Sequence, residues 1–450
     1  MKRIGLPTIL IFCLPTLFLY AVVGPALVIL PSMYAQFAAV TLTQAGLIIL
    51  AGRLIDVVAD PLIGYWSDSL ETRWGLRKPW IVAGCVVATP SVWLLFHPAA
   101  SSGPGYFLVY AVGFILGFTM IWIPTRAWAA ELTRDRDDRA RIFTVSSMMT
   151  LLGGIFYALL PILLAGHYGS SAITMRVMND LALIFVVAVP LSIAAMVILI
   201  PRETPDHVER PTLRALWLTL KGNRLLWRFL VVNFLTALAL GMYYGLVFTF
   251  FADHMKLAPA FPYIAIASGA IGFAASTIWL KVFMKFEKTK VWGLAVLTLA
   301  PLSPIIWLIA PGPAALVPVL ILTAVSGSIL ACHFAAGPSV LSDVIDYGRL
   351  RTKANKTGNI FSLSLLITKA GLAGGAGMAL LIAGLFGYRP GAENDALAVF
   401  GLAFAFSIMP SLLFAAAGVI LLRHPINRKK QEIIRRRLEQ RESRLKLVTS

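Results

Sequence analysis

Long apolar stretches recur along almost the whole chain, separated by short polar turns. Twelve are found, at about 7–34, 42–67, 79–98, 104–130, 142–167, 178–201, 228–252, 261–285, 290–310, 314–341, 358–386 and 395–422. As a helix, each can cross the ~30 Å of hydrocarbon in a bilayer. A helix also satisfies its own backbone hydrogen bonds there, which an irregular segment cannot.

Polar punctuation divides the twelve into two sets of six. Residues 202–227 open with Pro-Arg-Glu-Thr-Pro-Asp-His-Val-Glu-Arg-Pro and continue as a short basic amphipathic piece. The expected organisation is a six-helix bundle over 1–201, a linker over 202–227, a second six-helix bundle over 228–423 and a basic tail over 424–450. The tail mixes Arg and Lys with Ile426, Ile433, Ile434, Leu438 and Leu445. That composition suits either a helix lying on a membrane surface or a solvated tail. Two six-helix halves joined in this way predict an all-α integral membrane protein with twelve transmembrane helices and the major facilitator fold, a step that rests on analogy between folds.

Composition agrees. The chain of 450 residues is 58% hydrophobic and 13% charged, about half the charged share of a soluble domain. Its formal net charge of +18 would fit nucleic acid, but the placement of the charges excludes that partner. Of 39 Lys and Arg, 33 fall in the N-terminus, in alternate loops and the segment ends that flank them, and in the tail. The opposite loops hold Arg176, Lys256 and Arg389, and Arg53, Arg126 and Lys369 lie inside apolar segments. This asymmetry predicts that both termini are cytoplasmic, and the membrane expected is a bacterial inner membrane. The positive charge then serves topology and contact with anionic lipid.

The first apolar run is too long for a signal peptide and is expected to remain as the first helix. Cys13, Cys85 and Cys332 all fall in apolar segments and show no metal-binding spacing. There is no phosphate loop, no zinc-protease helix and no nucleophile elbow, so neither an enzyme nor a bound cofactor is expected. The chain is expected to work as a monomer.

The chemistry lies in the charges that interrupt the apolar segments. Asp56 and Asp60 share one face of the second segment, ~6 Å apart along a helix axis. A charge at that depth costs about 2.5–3.5 kcal/mol on insertion scales. Two carboxylates this close cannot both stay ionised and unpaired in a low dielectric. Na⁺, Li⁺ or H⁺ would relieve the repulsion, with Asp56 and Asp60 as ligands. Arg53, one turn earlier, either holds the pair when no cation is bound or forms a fixed ion pair that only packs helices.

From Arg53 to Trp80 the sequence reads R-L-I-D-V-V-A-D-P-L-I-G-Y-W-S-D-S-L-E-T-R-W-G-L-R-K-P-W. It resembles the pattern R-x-x-D-x-x-x-D-P-x-x-G followed by D-x-x-x-T-R-W-G-x-x-K/R-P-W of the glycoside–pentoside–hexuronide cation symporters, the melibiose-permease-like branch of the major facilitator superfamily. The match runs through Arg53, Asp56, Asp60, Pro61, Gly64 and Asp68, and on through Thr72, Arg73, Trp74, Gly75, Lys78, Pro79 and Trp80. The resemblance implies that Asp56 and Asp60 are the cation-binding carboxylates. It also implies that Asp68 and Arg73 belong to the loop that latches the cytoplasmic side in the outward-open state.

In the fourth segment, Trp122-Ile-Pro124-Thr-Arg126-Ala-Trp128-Ala-Ala-Glu131-Leu resembles the family's I-P-x-x-A-x-x-x-E-L. Galactoside-binding members carry aspartates in helices 4 and 1 and an arginine in helix 5. Here those positions are Trp122, Tyr20 and Ser147. Arg126, one turn from Trp122, either favours an anionic group such as carboxylate or sulfonate or pairs with Asp56 or Asp60. Tyr20, Trp122 and Trp128 could stack on a sugar ring or another flat apolar face. Ile367-Thr-Lys369-Ala-Gly371 resembles the family's V-K-G-G element. Lys369 takes the place of a lysine that faces the cation pair, where it competes with the cation or donates to solute. Ser342-Asp343-Val-Ile-Asp346-Tyr347-Gly348 resembles A-D-I-V-D-Y-G. Asp343 and Asp346 are expected to meet Arg134, Arg136, Arg139 and Arg141 and so close an inner gate.

The function expected from all this is Na⁺- or H⁺-coupled symport of a sugar or glycoside by alternating access, with Arg126 pointing to a hexuronide or sulfonated sugar. A second reading keeps the fold and the cation site but moves a lysolipid or other amphipathic lipid.

Overall fold

The computed structural model describes residues 4–70, 72–133, 135–201, 223–352 and 357–423, with scattered positions of the tail. The 202–222 part of the expected linker, Arg134 and most of the tail lie outside the described residues. Six long helices precede the linker: α1 (Leu6–Val28), α2 (Leu42–Ser69), α3 (Lys78–Phe96), α4 (Pro104–Glu131), α5 (Arg136–Leu163) and α6 (Met175–Leu199). Six follow it: α7 (Arg224–Thr249), α8 (Phe261–Lys285), α9 (Lys288–Ile305), α10 (Leu316–Thr352), α11 (Thr357–Leu385) and α12 (Ala396–Leu422). There is no strand among the described residues. Eleven of these helices are long and apolar enough to cross a membrane. The twelfth long helix is α2, which carries Arg53, Asp56 and Asp60 along its middle.

Local chemistry sets the ends. Thr41 and Gln44 form a reciprocal cap on α2: the Thr41 hydroxyl accepts from the Gln44 N–H at 3.2 Å, and the Gln44 side chain accepts from the Thr41 N–H at 2.9 Å. Asp135 caps α5 by accepting from the N–H groups of Asp137 and Asp138. Proline stands in the first turn of α1, α3 and α4, where its missing N–H costs nothing. The apolar run predicted as one segment over 7–34 breaks at Ile29, and Leu30–Phe37 forms a separate short helix with Pro31 in its first turn.

The Thr-Arg-Trp-Gly element between α2 and α3 is a tight turn. Thr72 and Gly75 exchange backbone hydrogen bonds at 3.3 and 3.0 Å. The Thr72 hydroxyl donates to the Gly75 carbonyl at 2.8 Å and accepts from the Trp74 N–H at 3.1 Å. Gly75 has φ 106°, which a side chain would strain.

The described residues fall into two compact units. The first covers 1–208, 244–266 and 376–402, and the second covers 209–243, 267–375 and 403–450. In the first, α1 packs on α5 and α6, α4 packs on α2 and α3, and α3 also meets α6. In the second, α9 packs on α10 and α12 around the fully buried Trp292. With lipid tails as apolar as leucine, such helices associate through close fit and polar contacts rather than a hydrophobic drive. Gly84 of α3 shows this: a Cβ there would lie 2.8 Å from the Gly117 carbonyl oxygen of α4.

Candidate functional site

Asp56 and Asp60 are half-buried on α2, in the first unit. Arg53 Nη1 donates to Asp56 Oδ2 at 2.9 Å. Asp60 Oδ1 accepts from the hydroxyl of Thr119, on α4, at 3.2 Å. Pro61 follows Asp60 directly and has no N–H, so the Val57 carbonyl loses its intrahelical donor beside the acid pair. Two acids, a hydroxyl and a freed carbonyl are all hard oxygen donors, which suit a small hard cation.

A cavity of about 340 Å³ opens between α1, α4 and α5 in the same unit. Its wall includes Tyr20, Trp122, Arg126 and Ser147. An aromatic row borders it through Tyr20 and Trp122: Tyr20 meets Phe118 edge-on at 5.9 Å, Phe118 stacks on Trp122 at 6.3 Å, and the Arg126 guanidinium lies 4.6 Å from the Trp122 ring centre. That cation–π contact fixes the guanidinium plane and leaves its edge for hydrogen bonds. On α5, the Ser147 hydroxyl donates to the Phe143 carbonyl at 2.9 Å and the Thr150 hydroxyl to the Ser146 carbonyl at 3.0 Å. Having used their protons, these oxygens can only accept, so they suit a solute rich in O–H donors. One wall supplies acceptors and the other a fixed cation.

Residue 119 and residues 122 and 126 fall at i, i+3 and i+7, one face of α4. That helix therefore carries both the hydroxyl on Asp60 and the cavity's tryptophan and arginine.

Trp128 lies elsewhere. It is fully buried (0% exposed), meets Phe12 edge-on at 5.3 Å and has the Lys78 ammonium 5.3 Å from its ring centre. Lys78 in turn donates to the Val197 and Ile200 carbonyls at 2.8 and 2.9 Å, capping the end of α6. Trp128 is not part of the cavity wall.

At the far end of α2, Arg77 is the hub. Its Nη2 and Nε reach the two oxygens of Glu131 at 2.6 and 3.1 Å, and its Nη1 holds Asp68 and the Ser67 carbonyl. Arg77 is 5% exposed. Burial opposes its charge, but Glu131 and then Asp68 outweigh this and raise its pKa above the ordinary arginine value. Arg73 instead lies over Trp74, 5.8 Å from the ring centre.

The other expected gate residues are paired as follows. Arg139 donates to the Thr133 carbonyl at 3.0 Å. Arg141 donates to Asp138 at 2.9 Å, and Asp138 also accepts from the Ile4 N–H at 3.0 Å. In the second unit, Asp343 has Lys288 at 4.0 Å and accepts from Gln431. Asp346 is half-buried on α10 and Lys369 half-buried on α11.

Sequence reading missed Thr119 as a partner of Asp60, Glu131 as a partner of Arg77, and Lys288 as a partner of Asp343. Only for Thr119 was there a signal, its one-face spacing with Trp122 and Arg126.

Twelve long helices and no strand among the described residues, with acids held at mid-helix on one of them, fit a multi-pass membrane carrier. Residues 9–428 match the family described as MFS/sugar transport protein, and the chain belongs to that family. It is 25% identical over 426 residues to the glucuronide carrier protein homolog of Escherichia coli (strain K12), covering 90% of this chain and 89% of that one. It is 22% identical over 416 residues to the isoprimeverose transporter of Lactiplantibacillus pentosus, covering 89% and 85%. The inward open structure of the xylose transporter XylE from E. coli superposes with a TM-score of 0.60 at 13% identity, over 94% of this chain and 96% of that one, which shows the common fold. The chain is thus a multi-pass membrane transport protein of the sugar-transport family.

Proposed function

We propose that the chain couples Na⁺ or H⁺ to uptake of an anionic sugar or glycoside. Asp56, Asp60 and Thr119 hold the cation, and the α1–α4–α5 cavity holds the solute. The observation that carries this is the double duty of α4, whose Thr119 bonds Asp60 while its Trp122 and Arg126 line the cavity. Filling one site then stiffens the helix the other needs. Such coupling is reciprocal: solute tightens cation binding by the factor that cation tightens solute.

In this reading the entering cation takes Asp56 from Arg53. Solute then docks with its anionic group on Arg126, its ring on Trp122 or Tyr20 and its hydroxyls on Ser147 and Thr150. The two halves rock, and both cargoes leave to the cytoplasm, on the side of the basic termini. Lys369, a cation inside an apolar helix, lies on such a pathway by default. The resemblance to a glucuronide carrier homolog supports the anionic solute. A cavity of about 340 Å³ is at the small end for ligand sites, which favours a sugar over a lysolipid.

The test is uptake into proteoliposomes across neutral sugars, uronides, sulfonated sugars and lysolipid, with and without Na⁺, at two pH values. Anionic sugars should be taken up with cation stimulation. Arg126→Ala should weaken them about 10–100-fold and neutral sugars far less. Equal loss for both classes, or uptake indifferent to Na⁺ and pH, would refute the reading.

A further inference from the structure

Asn233 is a lone amide in the apolar run Phe-Leu-Val-Val-Asn-Phe-Leu of α7. Its Nδ2 donates to the Thr368 hydroxyl oxygen at 2.8 Å and to the Ser364 carbonyl at 3.1 Å, with the Ser364 hydroxyl at 3.4 Å. The Thr368 hydroxyl donates to the same Ser364 carbonyl at 2.9 Å. One amide therefore grips both ends of a single turn of α11, and the next residue is Lys369.

The other flank of Lys369 is held as well. A Cβ on Gly371 would lie 2.7 Å from Ala237 Cβ and 3.0 Å from the Phe234 carbonyl oxygen, both on α7. Further along, Gly241 and Gly375 lie with no room for a side chain against the Leu372 and Leu238 carbonyls. So α7 and α11 are in backbone contact just beyond Lys369 and hydrogen-bonded just before it. Rotation of α11 about its axis must break one contact or the other. Because a lysine's reach starts from the direction of its Cα–Cβ bond, a helix that cannot rotate fixes where the ammonium can go.

Helix glue alone does not account for the position of the amide. The glycine contacts already bring the two backbones together, and α7 has 26 residues on which a polar contact could sit. The amide is found at the turn that leads into the one lysine of α11 that interrupts its apolar run.

We propose that Asn233 is a positioning residue for Lys369, pinning the Ser364–Thr368 turn to α7 so that α11 presents the lysine in one direction. The proposal rests on the reading of Lys369 as a working cation of the transport cycle.

The test uses the full chain in proteoliposomes, with the activation constant for the coupling cation, solute KM and kcat as readouts. Asn233→Ala should shift the cation constant about fivefold or more, and Thr368→Val should shift it the same way by less. Asn233→Gln, which keeps the amide, should recover part of the shift. Lys369→Ala should also move the constant, and adding Asn233→Ala to it should change nothing further. If both single variants shift the constant and their effects multiply in the double variant, Asn233 acts independently of Lys369 and the proposal is overturned. It is overturned too if Asn233→Ala and Thr368→Val only lower thermal stability. If Lys369→Ala leaves coupling intact, the earlier reading of the lysine fails and takes this one with it. Should Asn233→Ala not fold, Thr368→Val with and without Lys369→Ala makes the same comparison.

Discussion

Two groups on α2 and its neighbours have the same ingredients, one arginine and two acids, and differ in how far the arginine is used. Arg77 spends all three of its nitrogens on Glu131, Asp68 and the Ser67 carbonyl. Arg53 reaches Asp56 through Nη1, while its buried Nε has no hydrogen-bond partner. A saturated, buried arginine is a strut, because any departure leaves several groups unpaired at once. An arginine held by one nitrogen can be exchanged for a small cation at much lower cost. Counting charges does not tell the two groups apart, but counting satisfied nitrogens does, and the difference supports the ion site proposed at Asp56 and Asp60.

The contrast can be broken most forcefully at Arg77. Arg77→Ala should remove about 3–5 kcal/mol of stability by stranding Glu131 and Asp68. Melting in detergent should show a large drop, while the cation activation constant moves less than about threefold. A large shift in that constant without a stability loss would make Arg77 part of the ion site. Next, Asp60→Asn should weaken the coupling cation on the order of 100-fold and cost little stability, read as the cation dependence of uptake beside the same melting assay. Unchanged dependence would place the ion elsewhere. The smallest effect is expected for Thr119→Val, which deletes one hydroxyl contact to a carboxylate. Cation affinity should fall about tenfold with solute affinity reduced only at low cation. Loss of solute binding at saturating cation would mean that Thr119 serves the cavity instead.

Much of this was legible in the chain. Asp56 and Asp60 stand out because carboxylates are conspicuous against leucine and valine, and their spacing already puts them on one face. The twelve helices were visible for the same reason. What was hidden depended on which helix lies beside which. A threonine in an apolar helix is unremarkable until α4 is seen to bring Thr119 to Asp60, 59 residues away. Glu131 and Arg77 are 54 apart. Trp128 looked like a ring for the cavity because it is near Arg126 in sequence, yet two residues turn a helix by about 200°, and it faces Phe12 instead. The break at Ile29 was hidden because Pro31 suits a helix start as readily as a bend.

The charges along the middle of α2 also bear on how the protein is made. Arg53, Asp56 and Asp60 together set a penalty of roughly 8–10 kcal/mol for entering lipid singly, more than the surrounding leucines and isoleucines recover. The Arg53–Asp56 contact at 2.9 Å lies within one turn and can form in the nascent helix. Thr119 arrives only when α4 emerges from the ribosome. Partitioning of α2 into the bilayer is therefore expected to gain from a segment synthesised two helices later, whose Thr119 reaches Asp60.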